Sequence, residues 1–244
     1  MKTAVLIKSV MFASVLFSTV CLAGPQIGSS QKGRHYLVSS DSLHGWSLGA
    51  YLAESRRDVE LHGFDSQMKL KSAGAFIGYD IMRWASVFGI AGSSDTSFGG
   101  AGSHLSTSSS ESEFGVALQV NLLDHELMDP TVIENRLRLN AQASYMRHKA
   151  DHAWGSLAWN DLSAGLMLSI INDTPSFKIF WVENVAIYGG PVYSRIFSSD
   201  RISEKSNFGY AAGVEIGFSE KISLLVGVKN IDTASATGSI TVRF

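Results

Sequence analysis

Cysteine is almost missing from this chain of 244 residues: Cys21 is the only one. It lies in an N-terminal stretch where Lys2 and Lys8 precede an apolar run from Val10 to Leu22, with the small residues Ala23 and Gly24 behind it. That layout predicts a secretory signal peptide over 1–23, cleaved near Ala23, and Cys21 would leave with it. Ser18, Thr19 and Val20 do not form a lipoprotein box, so no lipid anchor is expected. An exported chain without thiols has no disulfide framework and no thiolate chemistry. Proline is scarce too, at four residues. Beyond the signal no unbroken apolar stretch reaches eighteen residues, so no membrane helix is predicted. Charge of one sign is also lacking. With Lys2 and Lys8 gone, the basic count falls from 20 to 18 against 22 acids, a formal charge of −4, and no basic cluster points to nucleic acid.

What the chain does have is alternation. At 46–52 Trp46, Leu48, Ala50 and Leu52 alternate with Ser47, Gly49 and Tyr51. The same two-residue period recurs at 114–122, 137–145, 162–170, 208–218, 222–229 and 239–244, and less cleanly at 72–81, 85–92 and 180–197. Period two is the mark of a strand with one oily and one polar face. Ten strands result. Their connections alternate between the polar stretches 59–70, 93–112, 149–159, 198–206 and 231–237 and the shorter "IMR", "NDTPSFK" and "SEK". Segment 123–135 is long for a turn and has no assigned role.

An oily face needs apolar cover. A sandwich would find it in a second sheet, whereas a closed barrel in lipid turns that face outward and pairs every backbone group. Three features favour the barrel. The polar face is tiny or charged, as a narrow lumen requires. Aromatics gather near strand ends, where Trp46, Tyr79, Trp84, Trp159, Trp181 and Phe218 would form interfacial girdles. The strand number is even, which puts both ends of the barrel chain on one side. The fold expected is all-β: a closed antiparallel transmembrane β-barrel of ten strands over 46–244, with eight as the alternative. A short periplasmic segment, 24–45, would precede it.

The stretch "SITVRF" carries Ile240, Val242 and Phe244 on one face. Together with the signal peptide and the opening "GWSLGAYLAES", it resembles the bacterial outer-membrane β-barrel proteins, in particular the small OmpA/OmpX-like group. The resemblance implies that Ile240, Val242 and Phe244 are an assembly signal read by the barrel-assembly machinery. It also implies a bacterial outer-membrane location, with lipids and lipopolysaccharide as neighbours.

Among candidate sites, Arg136, Arg138, Glu183, Glu215, Lys229 and Arg243 are predicted to form a lumenal charge network, either lining a pore or plugging the barrel. Ten strands favour plugging. His148, Asp151 and His152 in "HKADHAW" are weighed as a metal or catalytic cluster and read instead as a polar loop base. Arg56, Arg57 and Asp58 are read as a solvated rim. No catalytic residue, metal or cofactor is assigned, and a monomer that does not bind nucleic acid is expected. The function predicted is structural or adhesin-like surface interaction, with a narrow solute pore as the alternative and a lipid- or peptide-modifying enzyme behind it.

Overall fold

A computed structural model describes residues 45–61, 64–82, 84–100, 103–105, 111–127, 134–152, 155–173, 182–198, 202–219 and 221–244. The expected signal peptide and nearly all of 24–45 lie outside them. The strands are β1 (Trp46–Leu61), β2 (Phe64–Met82), β3 (Ala85–Gly100), β4 (Ser103–Leu105), β5 (Glu111–Leu127) and β6 (Glu134–His152). They continue with β7 (Gly155–Asp173), β8 (Asn184–Ser198), β9 (Ile202–Glu204), β10 (Phe208–Ser219), β11 (Ile222–Asn230) and β12 (Ala234–Arg243). Among the described residues there is no helix.

Ten of these strands pair in sequence order, each antiparallel to the next, while β4 and β9 are three-residue additions at the loop end. The ring closes where β12 meets β1, from Ser47 opposite Arg243 to Glu54 opposite Ala236. The Phe244 amide donates to the Trp46 carbonyl at 3.0 Å and completes the seam. The fold is therefore a closed antiparallel barrel of ten strands, and the eight-strand alternative falls.

The outer face over the middle of the barrel is apolar. Leu48, Leu52, Ile77, Val116, Leu168, Ile170, Ile187, Val228 and Ile240 all point away from the lumen, with Leu52 64% and Ile187 63% exposed. Facing water, each such side chain would forgo about 1.5–3 kcal/mol of burial. Facing acyl chains costs nothing, which makes this a membrane barrel.

Towards the loop end the faces reverse. On β1 and β2 the outward residues become Glu54, Arg56, Asp58, Lys69 and Lys71, and the inward ones Val59, Met68 and Leu70. Here the wall is polar outside and oily inside, as in a barrel surrounded by water. That reversal corrects the expected loops. The stretch 59–70 is mostly strand, as are 93–100 and 155–159, because a strand that has left the hydrocarbon no longer needs a greasy exterior. The wall is uneven as a result: β2, β6 and β7 have 19 residues, β11 has 9 and β12 has 10.

Segment 123–135 also resolves in part. The ladder between β5 and β6 skips Leu122, so Leu122 and Leu123 both point outward and Asp124 turns into the lumen. This β-bulge breaks the alternation by one residue, and residues up to Leu127 stay in the sheet.

Candidate functional site

The candidate site is the lumen, and side chains fill it. On the turn side Arg243 reaches Asp80 at 2.9 Å, and the Ser86 hydroxyl donates to the same carboxylate. Next to them Asp124 holds two arginines, Arg138 at 2.7 Å and Arg136 at 3.3 Å. All three are buried, and the paired geometry keeps charge tolerable away from water. Glu215, fully buried, faces this group from β10.

Midway up, Tyr51 spans the first wall of the barrel. The register runs Tyr51 to Gly74, Gly74 to Gly92, and Gly92 to Glu113 across four consecutive barrel strands. The tyrosine lies over both glycines and donates to Oε1 of Glu113. A Cβ on Gly74 would stand 2.6 Å from the Tyr51 hydroxyl, and one on Gly92 equally close. No other residue fits there, so the two glycines form a track for the ring. Glu113, 1% exposed, also accepts from Ser72 at 2.9 Å. Nδ1 of His148 approaches its other oxygen to 3.2 Å, within ion-pair range but without hydrogen-bond alignment. The His148 ring stacks on Trp159 at 5.3 Å.

From higher on β1 Arg57 reaches across the lumen and donates to the Ser194 hydroxyl at 3.1 Å and to the Ser206 carbonyl at 3.2 Å, while Ser194 donates to Asp161 at 2.7 Å. Lys229 is buried beside Asp161 and Arg57. Above these polar groups lies an apolar cap of Val59, Met68, Leu70, Phe98, Trp159, Ile196 and Ile202. Ile202 belongs to β9, which pairs with β1 through Val59–Leu61, where β12 no longer reaches. The short strand thus covers an edge that would otherwise stand open. Burial pushes the Glu204 carboxyl on β9 above the ordinary range, although the Ile196 amide donates to it.

Arg136, Arg138, Glu215, Lys229 and Arg243 are all lumenal: Arg136, Arg138 and Glu215 gather with Asp124, Arg243 pairs with Asp80, and Lys229 lies beside Asp161 and Arg57. Glu183 is exposed ahead of β8, outside the lumen. Trp46, Tyr79, Trp84 and Phe218 lie at the turn-side end, with Trp46 against Tyr79 at 4.8 Å, and Trp46, Trp84 and Phe218 exposed. Trp159 does not join a girdle: it is 1% exposed, inside the cap. It shares parity with Asp161 and Ser163, and parity, not nearness to a strand end, decides its side. Trp181 lies outside the described residues. Ile240 faces outward with Val242 on the same side of β12, and Phe244 is 74% exposed. Arg57 leaves the expected rim for the lumen by the same parity rule. His148 is lumenal, whereas the side chains of Asp151 and His152 fall outside the described set. The partners Asp80, Glu113 and Asp124 were not singled out from sequence. Parity alone would have turned Asp80 and Glu113 inward, but the bulge hid Asp124. Among the described residues no group of three or more His, Cys, Asp or Glu side chains could hold a metal.

No protein-family model matches this chain, and no curated protein matches its sequence. Among solved structures it is similar to an outer-membrane channel from Pseudomonas putida F1, at 12% identity and TM-score 0.42, over 90% of this chain and 100% of that one. It is also similar to the β domain of the Bordetella autotransporter BrkA, at 10% identity and TM-score 0.37, over 83% and 99%. The attachment invasion locus protein of Yersinia pestis matches at 10% identity and TM-score 0.22, over 82% and 99%. Likeness at this level carries no role across, and the barrel stands on its own register and its two faces.

Proposed function

We propose that this outer-membrane barrel does not conduct and acts through its outer surface and loop end, as a structural or adhesin-like protein. The observation that carries the reading is the filled lumen. The Asp124, Asp80 and Glu113 clusters project into it, Arg57 reaches across it from β1 to Ser194 on β8, and the apolar cap sits above them. Ten strands enclose little more space than side chains of this size occupy. A small OmpA/OmpX-like affiliation, a monomeric state and handling by the barrel-assembly machinery belong to the same reading. So does the absence of catalysis: His148 is engaged by Trp159 and Glu113 within the wall.

Reconstitution in a planar bilayer tests this directly. The protein is expected to insert without current steps. Regular single-channel steps would overturn the reading in favour of a narrow solute pore.

A further inference from the structure

The exterior of β5–β10 carries a groove. Its volume is about 460 Å³, and its lining includes Leu118, Ala143, Ala164, Leu166, Tyr193 and Phe208. The register explains its shape. One outward row runs Leu118, Ala143, Ala164, Tyr193, Phe208 across five neighbouring strands. The two alanines form a floor. Leu118 stands on one side, and on the other Tyr193 packs edge-on against Phe208 at 4.9 Å.

The rows above this floor change chemistry. The next is Val116, Tyr145, Leu162, Arg195, and the one after it Phe114, Arg147, Asn160, Phe197. Lys149 follows opposite Ala158. At about 3.4 Å per residue, Arg195, Arg147 and Lys149 stand roughly 7, 14 and 20 Å beyond the floor. All three are exposed, and the Arg195 guanidinium lies over the Phe197 ring at 5.1 Å. Neither of the two rows that hold Arg195 and Arg147 includes an acidic residue, and Glu204 on β9, within electrostatic reach of Arg195, is turned to the Ile196 amide. The other outward basic cluster differs in this respect, since Glu54 pairs with Arg56 at 3.1 Å and Lys69 at 2.9 Å.

We infer that the β5–β10 face is a binding site for a phosphorylated, multiply acylated lipid of the lipopolysaccharide class. The groove takes an acyl chain, and Arg195 and Arg147 bind the phosphates, with Lys149 beyond them adding positive charge. Charge complementarity selects this occupant. A second copy of the chain would bring its own arginines against these, whereas a phosphorylated headgroup supplies the anions that the two rows lack. The apolar floor continues the lipid-facing belt, so a molecule seated there stays in the membrane throughout. The inference deepens the proposal of a barrel that works through its exterior, and rests on that part of it and not on a closed lumen.

The test uses the full-length exported protein folded in detergent, with bound lipid counted by native mass spectrometry. Purified lipopolysaccharide is expected to be retained, and R147S/R195S to bind about tenfold less for each charge-assisted hydrogen bond removed. Ala164→Phe, which fills the floor without touching charge, should also weaken retention, while R56S/K69S should not. Heat-modifiable gel mobility confirms that each variant is folded. Phosphatidylglycerol retained as tightly as lipopolysaccharide would overturn the assignment, as would competition by inorganic phosphate alone. Equal retention by wild type and R147S/R195S would overturn it as well. Conductance is read separately, so a conducting barrel that still binds the lipid would defeat the earlier reading and leave this one intact.

Discussion

Tyr51 shows how much depends on a single side chain in a lumen this narrow. Its hydroxyl is one of the donors that keep Glu113 tolerable away from water. Tyr51→Phe removes that donor and leaves the carboxylate short. The expected loss is about 1–3 kcal/mol, read as a lower urea midpoint in lipid vesicles. Gly92→Leu should cost at least as much, because its side chain would occupy the path of the ring. An unchanged midpoint for both variants would show that the Tyr51–Glu113 hydrogen bond contributes nothing. At this scale the sequence was half legible. Parity placed Arg136, Arg138 and Glu215 inside, yet their partners depend on how strands stagger around a curved wall. Sequence separation says nothing of that: Arg243 meets Asp80 from 163 residues away.

At the scale of elements, the strands were legible wherever one face met lipid, because hydrocarbon enforces a strict two-residue rhythm. Legibility ended where that demand ended. The loop-end halves of β1 and β2 carry their oily residues inside, so they read as polar loops. The bulge at Leu122 broke the rhythm within a strand and left 123–127 unassigned. β9 is too short to announce itself, although it covers an edge and inserts Ile202 into the cap. Ile202→Asp would bury a charge among Val59, Trp159 and Ile196, and should expose the loop end to limited proteolysis while the membrane-embedded strands stay protected. Protection equal to wild type would mean that β9 holds nothing down. At the other end Phe244→Ser is expected to lower the amount of barrel in the outer membrane while export continues, measured by fractionation. Normal membrane levels would remove Phe244 from assembly.

For the whole molecule the governing feature is closure. Every barrel strand has two neighbours, so unfolding requires many ladders to open together. The folded protein should therefore migrate differently from the boiled protein on a denaturing gel. Identical mobility before and after heating would contradict a closed barrel.

The swap of oily and polar faces along β1 and β2 has one more consequence. It gives the barrel a waterline, drawn between Leu52 and Glu54. Sinking the molecule by two residues would drag Glu54 and Lys71, which sit opposite each other, into the edge of the acyl layer; a basic side chain there costs up to about 1 kcal/mol, rising to about 2–4 kcal/mol at the midplane. Lifting it by the same amount would wet Leu52, which sits opposite Ala73. Such a cylinder floats at a single depth, and whatever its rim touches is met at a height fixed by the pattern of its own residues.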